Sequence, residues 1–214
     1  RAVADLRATR ATTMAEQDVV TLEAAIEKAR QAGVSLASHT LGESGSAGVD
    51  IVDEAVEWSR KVLTARAAAR AFLTAALETP MRELDVSRLR SDGIDAAEYA
   101  GGLDDEGQSL LARATATCEE ASAARAKAAE QLRAMRASAM AAQDVVALCD
   151  ALEHARAVGV AQASYTPPES EQCGSEMIEA AVAWLDQVDE ARSAARACLE
   201  AALQTDPAML DTEH

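Results

Sequence analysis

Sliding the 214-residue chain along itself by 126 positions superposes two long stretches without a gap. Leu6 falls on Leu132, Met14 on Met140, Asp18 on Asp144, Leu22 on Leu148 and Gly33-Val34 on Gly159-Val160. The same shift then pairs Val56 with Val182, Trp58 with Trp184, Arg66 with Arg192, Arg70 with Arg196, Leu73 with Leu199 and Leu77 with Leu203. Register kept across an intervening segment of unlike sequence is the mark of duplication, not of shared composition. A chain with such a plan must fold twice in the same way.

A degenerate copy lies between the two. Asp85, Leu89, Ala96 and Gly101-Gly102-Leu103 follow the order of Asp18, Leu22, Ala29 and Gly33-Val34. Beyond that turn, Leu110-Leu111, Ala114, Ala124, Arg125, Ala128 and Leu132 follow Ile51-Val52, Ala55, Ala65, Arg66, Ala69 and Leu73. About a quarter of the residues are Ala, the best helix former, and the aromatics are limited to Trp58, Trp184, Tyr99, Tyr165 and Phe72. The predicted class is therefore all-α, with a thin core of Leu, Val, Ala and Met between closely approaching helices. About three tandem helical hairpins are expected, 1–79, a degenerate 80–132 with its connector, and 133–214, stacked as an elongated solenoid or as linked bundles. In outline this is similar to spectrin-type or helical-hairpin repeats, and no residue is diagnostic of either.

Each hairpin has an outgoing helix with apolar residues at three- and four-residue steps, as in Leu22, Ala25-Ile26 and Ala29, ending at a glycine such as Gly33. Gly93 weakens the middle one. Loops at about 35–49 and 161–174, rich in Ser, Gly and Pro, are expected to be exposed and mobile. Asp50 and Ser175 are placed to cap the return helices, and Asp104-Asp105-Glu106 puts negative charge where a helix dipole favours it. Thr79-Pro80 should end the first return helix. From 104 to 158 no proline intervenes, which predicts one long shared helix of roughly 80 Å. The rival is a turn near Ser138–Asp144, with either residue capping a fresh helix.

Chemistry is hard to find. His154 shares a helix face with Asp150, but two ligands are too few for a metal, and their first-copy counterparts are Lys28 and Ala24. His39 has no acidic partner nearby, and His214 is terminal. The stretch Gly42–Gly48 lacks the Lys-Ser/Thr ending of a phosphate loop. No alternating oxygen ligands form a calcium loop. The reading is thus of no enzyme, no catalytic residue, no metal and no cofactor.

The recurrent polar and aromatic residues are the candidates for protein interaction: Trp58, Trp184, Arg66, Arg70, Arg192 and Arg196. The arginine pairs are spaced to grip a phosphate or carboxylate, with bridges to Glu27 and Glu153 on the partner helix as the favoured alternative. Each Trp reads as a core plug or a docking anchor. A net charge of −16 repels phosphate backbones and anionic membranes, and no apolar run is long enough to span a bilayer.

Cys118, Cys149, Cys173 and Cys198 are confined to the second half at irregular spacing, so reduced thiols in an intracellular compartment, cytoplasmic or organellar, are expected. Arg1 in place of an initiator Met leaves room for a removed targeting segment, and the opening in mid-pattern predicts an upstream return helix. The leading expectation is a scaffolding segment that binds proteins within a larger complex or longer repeat array. The alternative is a helical carrier of a lipid or pigment.

Overall fold

The computed structural model describes residues 1–35, 48–162, 164–168 and 170–204. Among them every regular element is helical. In order these are α1 (Ala2–Arg10), α2 (Val19–Gln31), α3 (Gly48–Glu78), α4 (Val86–Arg88), a π-helical stretch (Leu89–Asp95), α5 (Ala96–Ala100), α6 (Asp105–Arg136), a 3-10 turn (Met140–Ala142), α7 (Val145–Ala157) and α8 (Gly174–Gln204). His39, most of Gly42–Gly48 and His214 lie outside the described residues, as does the 36–47 part of the first loop.

The helices divide into two compact units. The first comprises Arg1–Thr79 and Val86–Glu119, and the second Pro80–Asp85 and the described residues from Glu120 onward, so the dividing line falls inside α6.

In the first unit, α1, α2 and the head of α3 pack on one another. Leu6, Leu22, Ile26, Ala29, Val34, Ile51, Val52 and Ala55 form one buried cluster, with Trp58 packed at its edge. Farther along α3, Ala69 and Leu73 are buried, as are Leu89, Ile94, Ala97 and Ala100 of the helical segment that follows. The π-helical stretch runs past α3 so closely that a Cβ on Gly93 would lie 3.1 Å from Leu73 and Phe72. This explains a glycine that costs intrinsic helix propensity.

In the second unit Ala128 and Leu132 of α6, Leu148, Ala151, Leu152 and Ala155 of α7, and Ile178 and Ala181 of α8 form the corresponding cluster. Each fully buried leucine contributes about 2 kcal/mol of hydrophobic stabilisation.

The helix boundaries follow local chemistry. Asp18 takes an extended conformation and accepts from the backbone N–H groups of Val20 and Thr21 and from the Thr21 hydroxyl. Asp144 has the same backbone and accepts from the Ala147 N–H. Asp104 accepts from the Gly107 N–H at the start of α6. These satisfy donors that the helix itself leaves unpaired. Outgoing helices close by returning Val34 N–H to Ala29 O and Val160 N–H to Ala155 O, each around a left-handed glycine. The α3 helix ends at Glu78, just before Pro80.

Three expectations are corrected. The single helix over 104–158 is broken: α6 stops at Arg136, and Asp144 starts α7 afresh. The α6 helix is therefore about 48 Å long. The break does not need proline, because Gln143 and Asp144 rebuild the turn that Gln17 and Asp18 make. Asp50 and Ser175 lie inside the first turns of α3 and α8, which begin at Gly48 and Gly174. At α8 the Glu176 carboxylate accepts from the Cys173 N–H. Finally, the 161–174 loop is not uniformly exposed: Pro167 is buried, Tyr165 packs on the core, and the Gly174 N–H bonds the Tyr165 carbonyl.

Candidate functional site

The recurrent tryptophan and arginine converge on one short turn in each unit. In the first, the Trp58 indole donates to Gln17 Oε1 at 3.0 Å, and the Gln17 amide nitrogen donates to Asp18 O at 3.1 Å. Arg66 donates through Nη2 to the carbonyls of Gln17, at 2.7 Å, and Met14, at 3.4 Å. In the second, Trp184 donates to Gln143 Oε1 at 3.1 Å, Gln143 donates to Asp144 O at 3.2 Å, and Arg192 donates to Gln143 O. Gln17 and Gln143 are buried, and both tryptophans are half-buried. The tryptophans thus plug and lock a turn.

Arg66 does more than hold its own turn. Its Nε donates at 3.1 Å to Ala100 O, where α5 ends. Arg125, at the matching position of the middle copy, repeats the pattern in the second unit. Its Nη2 donates to Leu84 O at 2.6 Å and Met81 O at 3.0 Å, and its Nε donates to Val158 O, just after α7, at 2.8 Å. A guanidinium presents several donors in a fixed fork, and carbonyls at a helix C-terminus lack intrahelical partners. A cation there also meets the negative end of the helix dipole.

Glycine makes the approach possible. A Cβ on Gly102, φ 55°, would sit 2.1 Å from Arg66 Cζ, and one on Gly159, φ 85°, 2.7 Å from Arg125 Nη2. Both positions need the left-handed backbone and the empty space together.

The three arginines differ in cover. Arg125 is 1% exposed. Burial pulls its guanidinium below the ordinary range, and the neighbouring Tyr165 and Asp85 push it back up. Its Cζ also lies 5.8 Å from the centre of the Tyr165 ring. Arg66 is half-buried, and Arg192 is exposed, with only the Gln143 carbonyl as a hydrogen-bond partner among the described residues.

The expected bridges to Glu27 and Glu153 are not what these arginines form. Arg66 and Arg192 reach backbone carbonyls, and Arg70 pairs with Asp104. Hydrogen bonding between them holds the Asp104 carboxyl below its usual value and raises Arg70. Arg196 is exposed and forms no ion pair among the described residues.

Sequence reasoning did not single out Gln17 or Gln143, and it aligned Arg125 with Arg66 without giving it a role. Their signal was the recurrent Gln-Asp-Val before two outgoing helices, and the arginine shared by all three copies.

His154 and Asp150 are exposed, and no group of three or more potential metal ligands occurs among the described residues. The four cysteines are not disulfide-bonded, and Cys198 is exposed. No described helix is long and apolar enough to cross a membrane. No family model, curated protein or solved structure matches the chain.

Proposed function

We propose that the chain is a non-enzymatic scaffolding segment of tandem helical hairpins, arranged as linked bundles, that binds other proteins within a larger assembly. The observation that carries this reading is the arginine that ties one copy's turn to the end of the next copy's outgoing helix, at Arg66–Ala100 and again at Arg125–Val158. Such a tie fixes neighbouring hairpins to each other and leaves their outer faces available. On those faces Val20 and Val146, at matching positions just past the capping aspartates, are 77% and 70% exposed. A large apolar residue recurring in solvent at the 126-residue spacing suits a protein partner that recognises the first and the third hairpin alike.

The charge of −16 favours protein partners over nucleic acid or an anionic membrane. The lipid or pigment carrier is the weaker reading. The cleft between α2 and α3 mixes Ile26, Val56 and Leu63 with Glu23, Glu27, Arg30 and Arg60, a poor lining for an apolar cargo.

Photo-crosslinking residues placed at Val20 and Val146, in protein expressed in its source cells, should both yield adducts with the same protein. Native mass spectrometry of the purified chain provides the opposing result: a stoichiometric lipid or pigment would replace this reading with the carrier.

A further inference from the structure

Two packed helices leave a groove on each side. Between α2 and α3 of the first hairpin, the groove that faces α1 is filled: Leu6 is buried in the cluster of that unit, Asp5 pairs with Lys28 of α2 at 3.2 Å, and Arg10 pairs with Glu54 of α3. One leucine, flanked by an acid and a base that each meet an opposite charge, is enough to seat a helix there.

The other groove is open. It holds about 570 Å3 between α2 and α3 alone. Ile26, Val56 and the buried Ser59 line it, with Leu63 at 47% exposure. Glu23, Glu27 and Arg30 of α2 and Arg60 of α3 also line it, all four exposed and none in an ion pair among the described residues. Their charges cancel, in a chain whose net charge is −16. The open groove thus offers what the filled one uses, an apolar floor with carboxylates and cations beside it, and here the charges are unspent.

The third hairpin serves as an internal control. Under the 126-residue shift, Ile26, Glu27, Arg30 and Val56 keep their character as Leu152, Glu153, Arg156 and Val182. Buried Val62 and Val188 also match. The return-helix wall does not: Leu185 replaces Ser59, and Asp186, Asp189 and Glu190 replace Arg60, Leu63 and Thr64. Leu185 packs on the core of its own unit. A larger residue in the floor beneath added carboxylates removes both the room and the charge balance, so the feature belongs to the first hairpin.

We propose that the open α2–α3 groove of the first hairpin binds an amphipathic helix of a partner protein, one whose docking face carries leucine between acidic and basic residues. The shape that fits between two helices is a third helix, with its ridges in their groove. Glu23 to Arg30 spans two turns, about 10 Å, so roughly three turns of partner helix cover it. Bases on that helix meet Glu23 and Glu27, and acids meet Arg30 and Arg60. A polycation would be drawn to the whole acidic surface and a polyanion repelled by it, whereas a face of both signs is favoured only where both are answered.

The proposal rests on the scaffold reading and gives its partner a chemistry. The probe is a fluorescein-labelled synthetic helix of about four turns, net neutral, with a leucine stripe flanked by lysine and glutamate. Its anisotropy, titrated with the full-length chain, should show saturable binding. Leu63→Asp and Ser59→Leu, each installing the residue that the third hairpin carries, should each weaken that binding at least tenfold. Leu63→Asp lies at an exposed site, so its folding is secure if Ser59→Leu proves unstable by circular dichroism. Replacing the leucines of the probe with serine should abolish binding. Absence of saturable binding, or binding that Leu63→Asp leaves unchanged, would overturn the proposal. Either result alongside protein adducts at Val20 and Val146 would retire the groove and keep the scaffold; a bound probe without those adducts would do the reverse.

Discussion

The tails of α6 and α8 carry one pattern and meet opposite fates. Arg125 and Leu132 are 1% and 0% exposed, with the guanidinium bonded to three carbonyls, whereas Arg192 is exposed and Leu199 is 66% exposed. The difference is the outgoing helix that follows α6 and covers it. Burial here belongs to a pair of segments, so the same residues that form a core in one place are surface in another. The outcome is set by what packs against an amphipathic stripe, not by the stripe itself.

The largest break in this comparison should come from Arg125→Ala. Two buried carbonyls, of Leu84 and Val158, and the half-buried one of Met81 would lose their donor, costing about 3 to 5 kcal/mol in urea denaturation. Leu132→Ala follows, at about 3 kcal/mol from lost burial and the cavity left behind, read as a lower thermal midpoint. Trp184→Phe deletes the indole donor to Gln143 but keeps most of the plug, and should cost about 1 kcal/mol.

Acid should act through the caps. The Thr21 hydroxyl holds Asp18 below its usual value, and Arg70 does so for Asp104. With folded values below the unfolded one near 4, both contribute fully above that pH. The contribution is lost as pH falls from about 4 through the folded values. The difference in melting temperature between the parent chain and Asp104→Asn should accordingly narrow below about pH 4. At the small end, Leu199→Ala should change stability by less than about 0.5 kcal/mol, because it deletes little burial, and Arg192→Ala by about 1 kcal/mol, because it deletes a single part-buried bond. A large effect from either would mean that the α8 tail is already covered.

Much of the fold was legible because its punctuation is local. Pro80 and the terminal glycines act on their own neighbours, so spacing alone placed them, whereas the cap at Asp18 went unread and that at Asp144 entered only with the rival to a continuous helix. The break at 137–144 was harder. Its only local marks are Ser138 and Asp144, and what fixes it, the bonds from Trp184 and Arg192 to Gln143, comes from a helix some forty or more residues away. The arginine partners were illegible for a related reason. Acidic residues are so plentiful that a carboxylate was the natural expectation, whereas helix-end carbonyls exist for every sequence and leave no signature. Trp58 and Trp184 were legible as plugs or docking anchors, but their glutamine partners emerged only when the turn was assembled.

Hydrogen exchange on the chain in dilute solution, resolved to the helical tails, tests the central comparison most directly. Amides of the α6 tail, to Arg136, should be strongly protected. Those from Arg192 to Gln204 should exchange rapidly. Equal protection of the two tails would contradict the account.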